Sequence, residues 1–297
     1  PLINARIRKR WRAGGLKVGR VGPVADLTYP VQDLGNDGRV ISAMAADRHP
    51  FCETLRKAMR PMLILGVGAL RRKDGNAVQE ACFRIAENCG LIRKDWCGYN
   101  MLHDSAGRVG ALLAGFLPGE GGKGVHDILV ATREKEIDIL YLLGADEIHA
   151  SRIGEDTFVI YQGHHSDRGA HRADLIFPAA AYSEKDALYV NTEGRVQAAH
   201  KAVQPPGKTK EDWRIIRRLS DELGRPLSCD DHATLRARLR PVFERTARWA
   251  AFGRRGTIEP VAFMPVIDDF YRTDPISRAS PVMAECARIF TLGEEGE

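Results

Sequence analysis

The chain has 297 residues, with 44 Lys and Arg against 39 Asp and Glu, a formal net charge of +5, 44% hydrophobic and 28% charged residues. This composition is ordinary for a globular protein and excludes disorder as the main state; the small charge excess does not by itself specify a nucleic-acid partner. No run reaches the roughly 18–20 apolar residues of a membrane-spanning helix, no signal-peptide pattern opens the chain, and the start at Pro1 reads as a segment of something longer.

The opening is basic, with Arg6, Arg8, Lys9, Arg10, Arg12, Lys17 and Arg20 crowded together. Arg outnumbers Lys 33 to 11, which favours two-point carboxylate or phosphate partners over diffuse solvation. A second basic run holds Arg236, Arg238, Arg240, Arg245 and Arg248. Neither is interleaved with the aromatics of a base-stacking platform, so both read as solvated or partner-facing surface, with a nucleic-acid patch as the alternative.

Short apolar runs that stop at glycine or proline predict strands over 16–21, 62–65, 137–143, 158–161 and 175–177, the pattern of strands buried on both faces. Between them, Asp74 is placed to cap a helix carrying Val78, Cys82, Ile85 and Cys89 on one stripe. Asp104 or Ser105 opens another with Val109, Leu112, Leu113 and Phe116 inward, and Val125, Ile128 and Leu129 suggest a third. The alternation predicts an α/β fold, a doubly wound and mainly parallel sheet over 1–204. Within it, Leu188-Tyr189-Val190 and Val196 flank a turn, Asn191-Thr192-Glu193-Gly194-Arg195, between extended segments. A helical segment over 205–252 follows Pro205-Pro206-Gly207: Thr209 caps a helix with Trp213, Ile216, Leu219 and Leu223 on its apolar face, and an Arg-rich helix covers 232–240. Residues 253–297 predict an extended C-terminal arm, because Pro260, Pro265, Pro275 and Pro281 forbid long helices.

Six cysteines stand at 52, 82, 89, 97, 229 and 286, with no C-x-x-C and no zinc or iron–sulfur frame. Cys82 and Cys89 read as buried apolar fillers, and scattered free thiols suit a reducing compartment, cytoplasm or matrix. In a parallel sheet, ligands bind at the carboxyl ends of strands, here Gly66-Val67-Gly68, Gly144-Ala145-Asp146-Glu147 and Gly163 to Arg168. The first is half a dinucleotide fingerprint with Arg71 where the third glycine belongs, and Gly119 to Gly124 fails the P-loop pattern at Leu117 and Gly124. The densest polar cluster is His164, His165, Asp167, Arg168, His171, Arg172 and Asp174. It reads as a structural hydrogen-bonding loop, with a divalent metal on its histidines as the alternative. Ser166 beside His and Asp is no sign of a hydrolase, since triad partners meet across a fold. No residue is assigned a catalytic, cofactor-binding or metal-ligating role.

Tyr161-Gln162-Gly163 through Asp167-Arg168-Gly169-Ala170-His171-Arg172-Ala173-Asp174, with Phe177-Pro178 and Tyr189 to Gln197, resembles the molybdopterin-oxidoreductase domain. In detailed wording it resembles the large, G-type iron–sulfur subunit of respiratory complex I, NADH:ubiquinone oxidoreductase. Asn4-Ala5-Arg6-Ile7-Arg8-Lys9, Thr273 to Ser280 and Met283-Ala284 are similar to the same subunit, so the likeness spans the chain. The resemblance implies a C-terminal scaffold segment that supports electron transfer from NADH to ubiquinone coupled to proton translocation. It implies no cofactor in this segment, with 2Fe–2S and 4Fe–4S clusters in an N-terminal part upstream of Pro1. Other peripheral-arm subunits are the implied partners, which handle NADH and quinone; nucleic acid is not one, and the membrane is met only through the assembly. The implied location is peripheral, on the cytoplasmic side of a bacterial inner membrane or the matrix side of the mitochondrial one. Asn191, Glu193 and Arg195 are read as turn-forming and crevice-bracing, the basic start and proline-rich tail as subunit contacts. The alternatives are an active, formate-dehydrogenase-like molybdopterin enzyme and a basic binding module.

Overall fold

A computed structural model describes residues 2–244 and 255–291, and the chain divides into two units: 2–105 with 255–266, and 106–244 with 267–291. Arg245 and Arg248 of the second basic run lie outside the described residues. In the first unit, α1 (Leu2–Arg12) buries none of its residues. It is moored on one stripe: the Tyr29 hydroxyl donates to Asn4 Oδ1 at 2.7 Å and Trp11 lies 6.3 Å from the Tyr29 ring. β1 (Gly19–Val21) and β2 (Gln32–Gly35) pair in parallel. Asp37 caps α2 (Gly38–Ala45) by accepting from the Arg39 N–H, and α3 (Phe51–Lys57) follows. Then come β3 (Leu63–Gly66), α4 (Val67–Leu70), α5 (Gly75–Asn88) and β4 (Tyr99–Leu102), with β3 and β4 parallel.

The core of this unit is the stripe read from sequence. Val78, Ala81, Cys82, Ile85 and Ala86 of α5, with Cys89 just beyond its end, are buried against Ile41, Met44, Phe51, Cys52 and Leu65. Each large apolar side chain so enclosed contributes roughly 1.5–3 kcal/mol. Cys82 and Cys89 are fillers as expected, and burial pushes both thiols up to about 12.

The second unit runs α6 (Arg108–Leu113), α7 (Val125–Arg133), β5 (Ile139–Leu143), β6 (Phe158–Gly163), α8 (Arg168–Arg172), β7 (Leu175–Pro178), β8 (Ala187–Val190), β9 (Val196–Ala199), α9 (Asp212–Glu222), α10 (His232–Glu244), α11 (Pro275–Ala279) and α12 (Pro281–Phe290). β5, β6 and β7 form a parallel sheet in that order, and β8 and β9 an antiparallel hairpin. Leu140 and Leu142 of β5 and Val159 and Tyr161 of β6 point to one face and are buried with Leu129 of α7, Ile153 and Ala170 of α8, the alternation that a strand requires.

The α/β class and the mainly parallel pairing are as expected, with pairing in four small sheets in place of one continuous sheet. β2 and β4 were not legible, because Gln32-Asp33-Leu34-Gly35 and Tyr99-Asn100-Met101-Leu102 lack an apolar run. One helix start keeps its place without its cap, and two shift. Asp74 stands at the N-cap of α5 without a capping hydrogen bond. Asp104 is drawn to Arg71, so α6 opens at Gly107 and ends early, leaving Phe116 78% exposed. α9 begins from Glu211 and not Thr209, and Leu223 at its end is exposed. The arm predicted as extended over 253–297 contains two helices, because Pro275 and Pro281 sit in their first turns, where a missing N–H costs nothing. Asp274 and Ser280 cap them. Phe263 of the same arm is buried in the first unit's core.

Candidate functional site

The strand ends that face ligands in parallel α/β sheets are filled from within each unit. In the second unit, β5 ends at Gly144, whose positive φ of 61° turns the chain and whose N–H donates to the Gln162 carbonyl. This turn leads to Asp146, whose side chain is 8% exposed. β6 ends at Gly163, and the loop beyond it delivers Asp167, which caps α8 by accepting from the Arg168 N–H at 2.8 Å. α8 can come this close because residue 169 is glycine: a Cβ there would meet the Ala145 carbonyl oxygen and the Tyr161 ring at 2.7 Å.

Into the gap between the two carboxylates comes Arg278 of α11. Its Nε donates to Asp167 Oδ2 at 2.6 Å and its Nη2 donates to Asp146 Oδ2. The helix that carries it is set by Asp274, which accepts from the N–H groups of Ile276 and Ser277, while the Ser277 hydroxyl returns to Asp274. Burial is the main cause that pushes the Asp146 carboxyl up to about 7, against the pull of Arg278. Asp167 moves the other way: burial would raise it, but the hydrogen bonds from Arg278 and the Arg168 N–H prevail and hold it below its ordinary value. Burial, then the negative charge of Asp146 and Asp167, pushes Tyr161 up to about 12. One guanidinium therefore serves two carboxylates.

In the first unit, β3 ends at Gly66-Val67-Gly68. A Cβ on Gly68 would stand 3.2 Å from Val266 Cγ1 and 3.3 Å from the Met264 carbonyl oxygen, so the chain at 264–266 lies over this strand end. Arg71, in the place of the third fingerprint glycine, pairs with Asp104. Its neighbour Arg72 pairs with Asp74 and donates to the carbonyls of Glu259 at 2.9 Å and Val261 at 2.5 Å.

The polar cluster after β6 is spent on structure. Arg172 donates to the carbonyls of Gly154, Glu155 and Thr157, and Asp174 accepts from the Val159 N–H at 2.7 Å. His164 and His165 meet each other, Nδ1 to Nδ1 at 2.7 Å, and His171 meets Ser166 at 3.4 Å. Burial, then the neighbouring His165, lowers the His164 pKa. Among the described residues no three His, Cys, Asp or Glu side chains converge as metal ligands. Lys123 of the glycine-rich loop pairs with Glu136 at 3.1 Å.

The crevice-bracing reading of Asn191, Glu193 and Arg195 is corrected. They do build the turn: Asn191 Oδ1 accepts from the Glu193 and Arg195 N–H groups, and Gly194 takes φ +82°. Glu193 and Arg195 stand exposed, 3.9 Å apart, because a two-sided hairpin loop turns its tip side chains to solvent. Sequence reasoning placed Asp146 at a ligand-facing strand end without a role, and gave none to Arg278, Arg72 or the fully buried Gln162, which donates to Asp212 at 2.9 Å and accepts from Tyr141. The one available signal was Asp274-Pro275-Ile276-Ser277, a helix-start pattern.

Residues 1–222 match the family described as molybdopterin oxidoreductase. The chain belongs to the molybdopterin oxidoreductase family. Residues 239–286 match the family described as the C-terminal part of the G-type subunit of NADH-ubiquinone oxidoreductase. The chain is 38% identical over 303 residues to the NADH-ubiquinone oxidoreductase 75 kDa subunit of Reclinomonas americana, covering 98% of this chain and 43% of that protein. It is 38% identical over 299 residues to the NADH dehydrogenase [ubiquinone] iron-sulfur protein 1, mitochondrial, of Solanum tuberosum, covering 97% and 39%. It is also 38% identical over 294 residues to the G-type NADH-quinone oxidoreductase subunit of Rickettsia bellii, covering 96% and 41%. The chain thus spans less than half the length of these relatives.

Membership raises the question of a molybdopterin, a phosphate-bearing pterin that holds its metal through sulfur. The residues at these strand ends do not fit it. Asp146 and Asp167 would face the phosphate with like charge, Arg278 already occupies the gap between them, and Val266 and Met264 lie over Gly68. Cys52, Cys82 and Cys89, the buried thiols of the first core, are enclosed by apolar side chains.

Proposed function

We propose that this chain is a C-terminal scaffold segment of the large iron–sulfur subunit of NADH:ubiquinone oxidoreductase. In this reading it supports electron transfer from NADH to ubiquinone, coupled to proton translocation, without catalysing a step itself. The observation that carries it is the order of the two family matches, residues 1–222 and then 239–286, within one continuous 38% identity over almost the whole chain. The 2Fe–2S and 4Fe–4S clusters belong to the subunit's N-terminal part, NADH and quinone to other subunits. The segment is peripheral, on the matrix or cytoplasmic face of the membrane; no helix among the described residues is long and apolar enough to cross it.

Contact with a neighbouring peripheral-arm subunit falls to α1. Its moored stripe is Asn4 and Trp11, and the flank beside it carries Arg8, Lys9 and Arg12, exposed and with no carboxylate pairing them among the described residues. Arg20, Arg56, Arg71 and Arg72 are, by contrast, each paired with an aspartate. The presented charge matches an acidic protein surface; Trp11 and Tyr29 are engaged with each other and offer no platform for bases.

The test is the purified intact complex. Metal analysis is expected to find iron and no stoichiometric molybdenum or tungsten, and Arg8→Glu with Lys9→Glu and Arg12→Glu is expected to lower the yield of assembled complex on native gels. Molybdenum or tungsten at one atom per complex, in place of assembly with NADH–quinone activity, establishes the active pterin enzyme instead.

A further inference from the structure

We propose that Asp146 and Asp167 form a guanidinium-binding dyad that the chain fills with its own Arg278, so that residues 267–291 act as a strap closed over the strand ends of the second unit. The inference stands independently of the proposed scaffold role.

The two carboxylates belong to different strand-to-helix connections, yet both aim at one guanidinium. Nε serves Asp167 at 2.6 Å and Nη2 serves Asp146, so adjacent nitrogens of a planar fork span two acceptors, which a single ammonium would not do. The backbone that carries each carboxylate is set outside the strap. Asp167 is held by the Arg168 N–H as the cap of α8, and Asp146 by the turn at Gly144 and by its own N–H, which donates to Glu147 Oε2 at 3.1 Å. The close approach at Gly169 seats α8 against the Tyr161 ring and the Ala145 carbonyl, next to Asp146 in the chain.

The strap is built to deliver the ligand. The Asp274–Ser277 capping box fixes α11, Ser280 ends it and caps α12, and Ala287 of α12 is buried while Tyr271 meets Phe290 at 5.9 Å. Arg278, 23% exposed, is the residue that ties this capped pair of helices to both strand ends at once. Two buried carboxylates without that cation would repel each other. In this proposal the strap is a closed lid whose release would free the two carboxylates to take a small guanidinium compound in place of Arg278.

The test uses the full chain, with chymotrypsin cleavage inside 267–291 mapped by mass spectrometry and thermal melting with millimolar methylguanidinium, against methylammonium and urea. Arg278→Ala is expected to speed cleavage of the strap about tenfold, the equilibrium effect of losing about 1.4 kcal/mol of closure. Methylguanidinium is expected to raise the melting temperature of that variant saturably by about 2–4 °C, while leaving wild type unchanged and the strap still cleavable. Arg278→Lys, which keeps a charge and loses the fork, covers the case in which the alanine variant does not fold. It is expected to respond to methylguanidinium in the same direction, and Arg278→Lys with Asp167→Asn not at all. Unchanged cleavage in Arg278→Ala, or methylguanidinium acting equally on wild type, on neither variant, or equally well with Asp167→Asn, would overturn the proposal.

Discussion

Arg72 holds Asp74 by two parallel hydrogen bonds, Nε to Oδ1 and Nη2 to Oδ2, both at 2.7 Å. The same guanidinium lies 4.7 Å from the centre of the Phe263 ring and reaches the carbonyls of Glu259 and Val261, while Asp74 accepts from the Glu259 N–H at 2.8 Å. One largely buried ion pair thus joins the start of α5 to a segment almost two hundred residues later. Arg72→Ala removes the cation and leaves the Asp74 charge buried, so the expected loss is roughly 3–5 kcal/mol. Arg72→Lys, which keeps charge without the fork, is expected to recover part of it. Chemical denaturation of the three proteins measures both, and an alanine variant as stable as wild type would contradict the clasp.

Gly38 makes a second test of that segment. A Cβ at this position would lie 2.4 Å from the Glu259 carbonyl oxygen and 2.4 Å from Ile258 Cγ2, and backbone cannot swing aside as a flexible side chain would. Gly38→Ala is expected to cost about 1–3 kcal/mol, although alanine favours helix and Gly38 begins α2. A stabilised variant would show that 258–259 sits elsewhere.

The Asp146–Asp167 dyad predicts a pH dependence with a defined sign. Asp146 is raised from 3.8 to about 7, so between those values the native state binds more protons than the unfolded chain. Its contribution is greatest on the acid side and is lost as pH rises through that window. Asp167, held below 3.8, acts in the opposite sense but only at lower pH. His164, lowered from 6.5 by burial, also opposes it on the acid side, so the informative comparison is with Asp146→Asn. Melting curves from about pH 5 to about pH 8 are expected to show the variant gaining on wild type as pH rises. Parallel curves would exclude the raised carboxyl.

Thiol labelling distinguishes the cysteines. Burial raises Cys52 as well as Cys82 and Cys89, while Cys97 is exposed. Since the thiolate is the reactive form, iodoacetamide is expected to modify Cys97 in the native protein and to reach Cys52, Cys82 and Cys89 only on unfolding. Native-state labelling of Cys82 at the rate of Cys97 would refute the packing of α5.

At the hairpin, Gly194→Ala forces a side chain into φ +82° and is expected to cost about 1 kcal/mol or more. Asn191→Ala, which removes the acceptor of two N–H groups, is expected to cost about 1 kcal/mol as well. Glu193→Ala is expected to leave the melting temperature unchanged, since its pair with Arg195 is exposed. A larger loss from Glu193→Ala than from Gly194→Ala would restore the bracing reading.

The sequence by itself determined the α/β class, the strands that end at Gly66, Gly144 and Gly163, the buried cysteine stripe and the turn before Arg195. These depend on short-range pattern: an apolar run, a helical repeat, a glycine where φ must be positive. The course of the C-terminal arm was legible only in part, because proline bars a helix interior and also favours its first turn, and the cap that chooses between these is a contact geometry. The closure of the strand ends was decided by tertiary structure alone. Arg278 is separated from Asp146 by 132 positions and from Asp167 by 111, and no local pattern says which of 33 arginines will meet which carboxylates. That choice is made only when burial removes water and leaves a charge no other partner.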